Sequence, residues 1–127
     1  MPIQHFAPPA GIIAPPLSYA TRVGDLLFVS GIPGFDAHGA LSDDFATQFG
    51  FVVATIRRVL ADAGADVSRL VKVNVLLTRA SDVTLMNRLY ADAFGPPPYP
   101  ARTTCVVVAL PDPRMLIEIE GVASLAG

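Results

Sequence analysis

Between residues 45 and 60 the side chains Phe45, Phe49, Val52, Val53, Ile56, Val59 and Leu60 recur at spacings of three and four. Only a helical repeat brings such positions onto one face, so the segment predicts a helix of roughly five turns with a single apolar stripe. Asp43 or Asp44 stands where a capping carboxylate belongs, and Gly64 supplies the usual stop. A stripe of that length must be buried, and the rest of the chain has to provide the surface it lies on.

That surface reads as a sheet. Ser18 to Arg22 and Leu26 to Ser30 are short runs separated by Val23-Gly24-Asp25, a turn signal between antiparallel strands. Leu70 to Thr78 alternates Val71, Val73, Val75 and Leu77 against Lys72 and Asn74, the pattern of a strand with a well-buried face. Thr103 to Leu110 and Met115 to Ala123 are two more strands, joined through a turn containing Pro111 and Pro113. Between the Leu70 to Thr78 strand and these last two lies a second helix, capped by Ser81 or Asp82, with Val83, Met86, Leu89, Tyr90, Ala93 and Phe94 on its apolar side and Gly95-Pro96-Pro97-Pro98 ending it. Residues 1–16, rich in proline and small side chains, are expected to run extended along the surface or a sheet edge, and Gly31 to Gly39 to form a loop. The expected order is ββ, α, β, α, ββ: an α+β domain spanning residues 1–127, its sheet covered on one face by two helices.

The uncovered face needs a partner. The chain is 52% hydrophobic and 16% charged, against about 25% charged in ordinary soluble proteins, so self-association is the natural way to finish its surface. Its nine Lys and Arg are scattered and its net charge is −2, which argues against a nucleic-acid partner. No apolar run approaches the roughly 18 residues that span a bilayer, and Met-Pro-Ile-Gln-His-Phe lacks the features of a signal peptide. The expectation is a soluble, cytoplasmic protein with no membrane partner. Its one cysteine, Cys105, cannot form an internal disulfide and is expected to be a buried, inert thiol within its strand.

Few residues offer chemistry. His5 and His38 fall in the extended tail and the loop, without further ligands at metal spacing, so no metal is expected. Val29-Ser30-Gly31 lacks the nucleophile elbow of a serine hydrolase, and Gly31-Ile32-Pro33-Gly34 matches no phosphate-binding loop. In Pro100-Ala101-Arg102-Thr103-Thr104 a charged residue opens an otherwise apolar strand. Arg102 is either an exposed arginine at a strand start or a planar fork for a carboxylate. Ile117-Glu118-Ile119-Glu120 puts both carboxylates on one face of the last strand. That face is either merely wet or lines a cleft near Arg102, where a glutamate can hold and polarise water.

Val29-Ser30-Gly31, Gln48, Asn87-Arg88-Leu89-Tyr90, Phe94-Gly95, Pro100-Ala101-Arg102 and Ile117-Glu118-Ile119-Glu120 occur together in one order and spacing. From about Ser18 to Ala123 the chain resembles the RidA/YjgF family of reactive-intermediate deaminases. The resemblance implies a chorismate-mutase-like fold, a homotrimer with clefts at its subunit interfaces, and cofactor-free hydrolysis of 2-imino acids or their enamine tautomers to 2-oxo acids and ammonia. It also implies that Arg102 grips the substrate carboxylate and Glu118 positions the attacking water, with Ser30, Gly31 and Asn87 near the cleft and the main chain at Thr104 in place of the family's cysteine. The family's Gly-Pro-Tyr-Ser segment reads Pro15-Pro16-Leu17-Ser18 here. Leu17 therefore stands for the tyrosine that closes over the substrate, and Tyr19 follows two residues later. An extra residue in Asp112-Pro113-Arg114-Met115 alters the turn before Glu118. Three rivals remain: a deaminase of an aminomuconate-like enamine, a non-catalytic trimer that binds small carboxylates, and a ribonuclease, the last disfavoured by charge.

Overall fold

The computed structural model describes residues 1–127. Six strands form one mixed sheet: β1 (Ile3–Phe6), β2 (Ala20–Val23), β3 (Leu26–Pro33), β4 (Leu70–Leu77), β5 (Ala101–Val106) and β6 (Ile117–Ser124), in the spatial order β1-β2-β3-β6-β4-β5. Only β4 and β5 run parallel, connected through the second helix. Helices α1 (Phe45–Asp62) and α2 (Val83–Phe94) cover one face. This is the α+β layer expected, and it contains no helix long and apolar enough to cross a membrane.

The seven apolar positions of α1 are all buried. Asp44 caps this helix through the Thr47 N–H, and Gly64, at φ 77°, takes the left-handed conformation that a side chain would resist. Asp82 occupies the N-cap position of α2, but its carboxylate is engaged by the Arg79 guanidinium at 2.7 Å and caps nothing. Within α2, Met86, Tyr90 and Phe94 face the sheet.

Several boundaries differ from those expected. The extended N-terminus includes a true edge strand, β1, paired antiparallel with β2. Strand β3 continues through Gly31 to Pro33, into the stretch expected to be a loop, because β6 pairs with it across an irregularity between Val29 and Ile32. A shift between Leu70 and Lys72 takes Val71 out of the alternation, leaving it half exposed. Strand β5 begins at Ala101 and stops at Val106, so Arg102 lies inside it.

The same ladder overturns the expectation for Cys105, which is exposed. Cα partners across a ladder share a face. Cys105 pairs with Leu76, whereas Val73, Val75 and Leu77 are the β4 residues under the helices. The thiol is thus on the open side of the edge strand, where Leu26 and Phe28 on β3 are also 44% and 43% exposed.

Gln48 is the one wholly buried polar residue of α1. Its amide NH2 donates to the carbonyls of Ser42 and Arg114, and its carbonyl accepts from the Leu116 N–H at 2.9 Å. Full satisfaction makes such burial tolerable. The bonds also tie α1 to the segment leading into β6, two residues before Glu118.

Candidate active site

Arg102 pairs with Val73 in the β4–β5 ladder and therefore points to the helix side of the sheet. There α2 receives it. One guanidinium nitrogen donates to the Asn87 side-chain carbonyl at 2.7 Å, another points at the Met86 sulfur, and the guanidinium carbon lies 4.7 Å from the centre of the Tyr90 ring. Cation–π attraction of this kind contributes about 0.5–2 kcal/mol, depending on how dry the site is. No carboxylate of the chain is within ion-pair reach of Arg102. Fixed by neutral partners and left without a counter-ion, the fork remains available to an external acid. It borders a cavity of about 410 Å³ lined by Asn87, Tyr90, Ala91, Tyr99, Pro100 and Arg102. Thr104 lies two residues along β5, on the same side.

Glu118 is elsewhere. It pairs with Leu76 of β4 and Pro33 of β3, placing it on the face away from the helices, whereas Ile117 and Ile119 are buried beneath them. The shared face of Glu118 and Glu120 is thus confirmed, but a single cavity common to Arg102 and Glu118 within one protomer is not: the two occupy opposite faces of the sheet. The parity of the β4 ladder is the reason. Gly31 is next to Glu118, so close that a Cβ added there would sit 2.5 Å from a carboxylate oxygen. The Ser30 hydroxyl donates to the Ser18 carbonyl at 2.6 Å, pinning the segment that carries the exposed Leu17 onto β3. Tyr19 turns inward and packs against the core, so it is no substitute for a mobile tyrosine. The residues expected at the site divide into Arg102, Asn87 and Thr104 on one side, and Glu118, Gly31, Ser30 and Leu17 associated with the β3–β6 ladder.

Burial pushes the Glu118 carboxyl above its usual range, and the like charge of Glu120 pushes it further. A carboxyl shifted upward can trade protons nearer neutrality. If Glu118 acts as the base, its deprotonation sets the acid limb of kcat/KM. Glu120→Gln removes a neighbouring negative charge, makes the Glu118 carboxylate easier to form, and should move that limb to lower pH. An unmoved limb would separate Glu120 from the chemistry.

Tyr90 and Tyr99 also line the Arg102 site; the sequence shows Tyr90 on the apolar side of α2 and within the Asn87-Arg88-Leu89-Tyr90 motif without giving it a role there, and Tyr99 is not among the expected site residues. Burial holds the Tyr90 phenol above its ordinary value, with the Arg102 charge opposing and Tyr99 adding to the shift. Its hydroxyl is buried without a partner. The helical signal for Tyr90 is an aromatic four residues from each of two other apolar positions, Met86 and Phe94, and ordinary core packing produces that pattern as well.

An open-faced sheet backed by two helices, with an arginine free of any ion pair at its edge and a half-buried glutamate on the exposed face, defines a small α+β protein. The chain belongs to the RidA/YjgF family: residues 11–125 match the family model described as Endoribonuclease L-PSP. It is 42% identical over 112 residues to a RutC family protein of Sinorhizobium fredii, covering 87% of each. It is 36% identical over 112 residues to Reactive Intermediate Deaminase A, chloroplastic, of Arabidopsis thaliana, covering 87% of this chain but 59% of that longer relative. The crystal structure of RidA from the Antarctic bacterium Psychrobacter sp. superposes with a TM-score of 0.83 at 34% identity, covering 96% of this chain and 97% of the other.

Proposed function

We propose that this chain hydrolyses 2-imino acids and their enamine tautomers to 2-oxo acids and ammonia, without a cofactor, in clefts between the subunits of a cytoplasmic homotrimer. The observation that carries the reading is the uncompensated Arg102 guanidinium, held by Asn87 and Tyr90 at the edge of a cavity. A charge-assisted hydrogen bond to such a group is worth about 1.5–3 kcal/mol, enough to fix a small acid in one orientation. The apolar, exposed face around Leu26 and Phe28 favours assembly. A neighbouring subunit's Glu118 then supplies what the same protomer's Glu118 cannot.

In this mechanism Arg102 fixes the carboxylate and main-chain donors near Thr104 hold the imine end. Glu118 takes a proton from water as its oxygen attacks the C=N carbon. Starting from the protonated imine this gives a neutral carbinolamine, to whose nitrogen Glu118 returns the proton; the C–N bond breaks, ammonia leaves, and the hydroxyl proton passes to the freed carboxylate as the C=O bond forms. Imines hydrolyse unaided, so positioning and one proton-transfer group need supply only a few powers of ten.

The name endoribonuclease attached to the family model suits this chain poorly. Its net charge is −2, and no Lys or Arg cluster offers a track for a phosphate backbone.

The test is direct. An amino-acid dehydratase generates 2-iminopropanoate or 2-iminobutanoate in place, and semicarbazide traps whatever imine survives. Wild type should slow formation of the trapped adduct, and Arg102→Ala should not. Equal behaviour of the two proteins would reject the role assigned to Arg102.

A further inference from the structure

Both faces of the Tyr90 ring are occupied. Phe94 stacks at a centroid distance of 4.4 Å, and the Arg102 guanidinium lies over the ring at 4.7 Å. Tyr90 is therefore spent on building the arginine's seat, and only 4% of it remains accessible. The other aromatic residue of the cavity is not spent. Tyr99 is 44% exposed, its ring centre lies 6.3 Å from that of Tyr90, and it lines the same space. Its hydroxyl end sits against the stop of α2: a Cβ built on Gly95 would lie 3.2 Å from that oxygen. Pro100 follows immediately and limits the backbone. Tyr99 is a held ring with apolar surface still to cover.

Resting on the assignment of Arg102 as the carboxylate anchor, we infer that Tyr99 determines specificity, selecting 2-imino acids whose side chains are aromatic or otherwise flat and unsaturated. An acid gripped by Arg102 leaves its remaining atoms among Tyr99, Pro100 and Ala91, a wall with no second charge. A methyl or ethyl group covers little of that wall. The space of about 410 Å³ is within the usual range of small-molecule sites and accommodates a six-membered ring beside the carboxylate. Offset or tilted stacking on Tyr99 then adds attraction available only to a flat side chain. A charged side chain finds no partner in this wall, and a branched aliphatic one gains contact without stacking.

The test compares the imines of phenylalanine and alanine, produced by a broad-specificity amino-acid oxidase with catalase present and followed by semicarbazide trapping. Wild type should favour the aromatic imine in kcat/KM by about tenfold, the size of one good aromatic contact. Tyr99→Phe should keep that preference. Tyr99→Ala should lose it, the two imines being processed with comparable kcat/KM. No preference in wild type, or an undiminished preference in Tyr99→Ala, overturns the inference. Calorimetric binding of phenylpyruvate against pyruvate separates this inference from the reaction itself. A protein that speeds neither imine, yet binds phenylpyruvate more tightly through Tyr99, retains the specificity site and loses the deaminase reading. Equal binding of the two acids removes the specificity site.

Discussion

Arg102→Ala and Glu118→Gln should each be nearly inactive alone, and mixing the two after unfolding and reassembly should restore imine hydrolysis. Arg102 faces the helices and Glu118 faces the open side of the sheet, so a site using both needs them from different protomers. In a mixed trimer, some clefts take Arg102 from the Glu118→Gln protomer and Glu118 from the Arg102→Ala protomer. These clefts are wild type in both functional groups. Random assembly from equal amounts makes about a quarter of the clefts complete, so activity should recover to about that fraction of wild type. Each single variant should remain at least tenfold down, because losing the arginine forfeits about 1.5–3 kcal/mol of carboxylate binding and losing the glutamate forfeits proton transfer worth at least about 10². A mixture as inactive as its components would show that the two residues do not meet across an interface.

The opposite-face arrangement also marks where the sequence ceased to be informative. Alternation within a strand states which residues share a face: Glu118 goes with Glu120, and Val73 with Val75. It does not state which residue of one strand stands beside which residue of another. Arg102 belongs to a strand at the sheet edge with mixed exposure along its length, so no apolar pattern declared which of its faces met the helices. The pairing of Val73 with Arg102 is a fact of register, made by the crossover through α2 and invisible in either strand alone. Cys105 was misplaced for the same reason. Val106 and Val107 beside it suggested burial, but a short edge strand has neighbours on only one side, and Val106 itself is 49% exposed. The helix α1, by contrast, was legible residue by residue, because its stripe depends on contacts within a single element and on one surface beneath it. The chemical residues were legible by type. Their grouping needed the sheet.

Gly31→Ala should reduce turnover by on the order of 10²-fold, the scale of a misplaced general base, while leaving the melting temperature within a few degrees of wild type. At this position a Cβ would lie 2.5 Å from a Glu118 carboxylate oxygen and 2.9 Å from the carboxyl carbon, separations that side chains do not tolerate. Something must move, and the cheapest thing to move is the far end of Glu118. The Gly31 backbone is not in the left-handed region, so alanine introduces no conformational strain, and less freedom in the unfolded chain slightly favours the folded one. The cost therefore falls on the position of the carboxylate rather than on the fold. Since the carboxylate is displaced rather than removed, kcat should fall while KM, set chiefly by Arg102 on the other side of the sheet, stays nearly constant. Glu118→Gln combined with Gly31→Ala should be no worse than Glu118→Gln alone, because a side chain with no proton to take has no position left to lose. A Gly31→Ala protein with full turnover would mean that the close approach of β3 to Glu118 is packing alone, and that water is aimed at the imine from elsewhere.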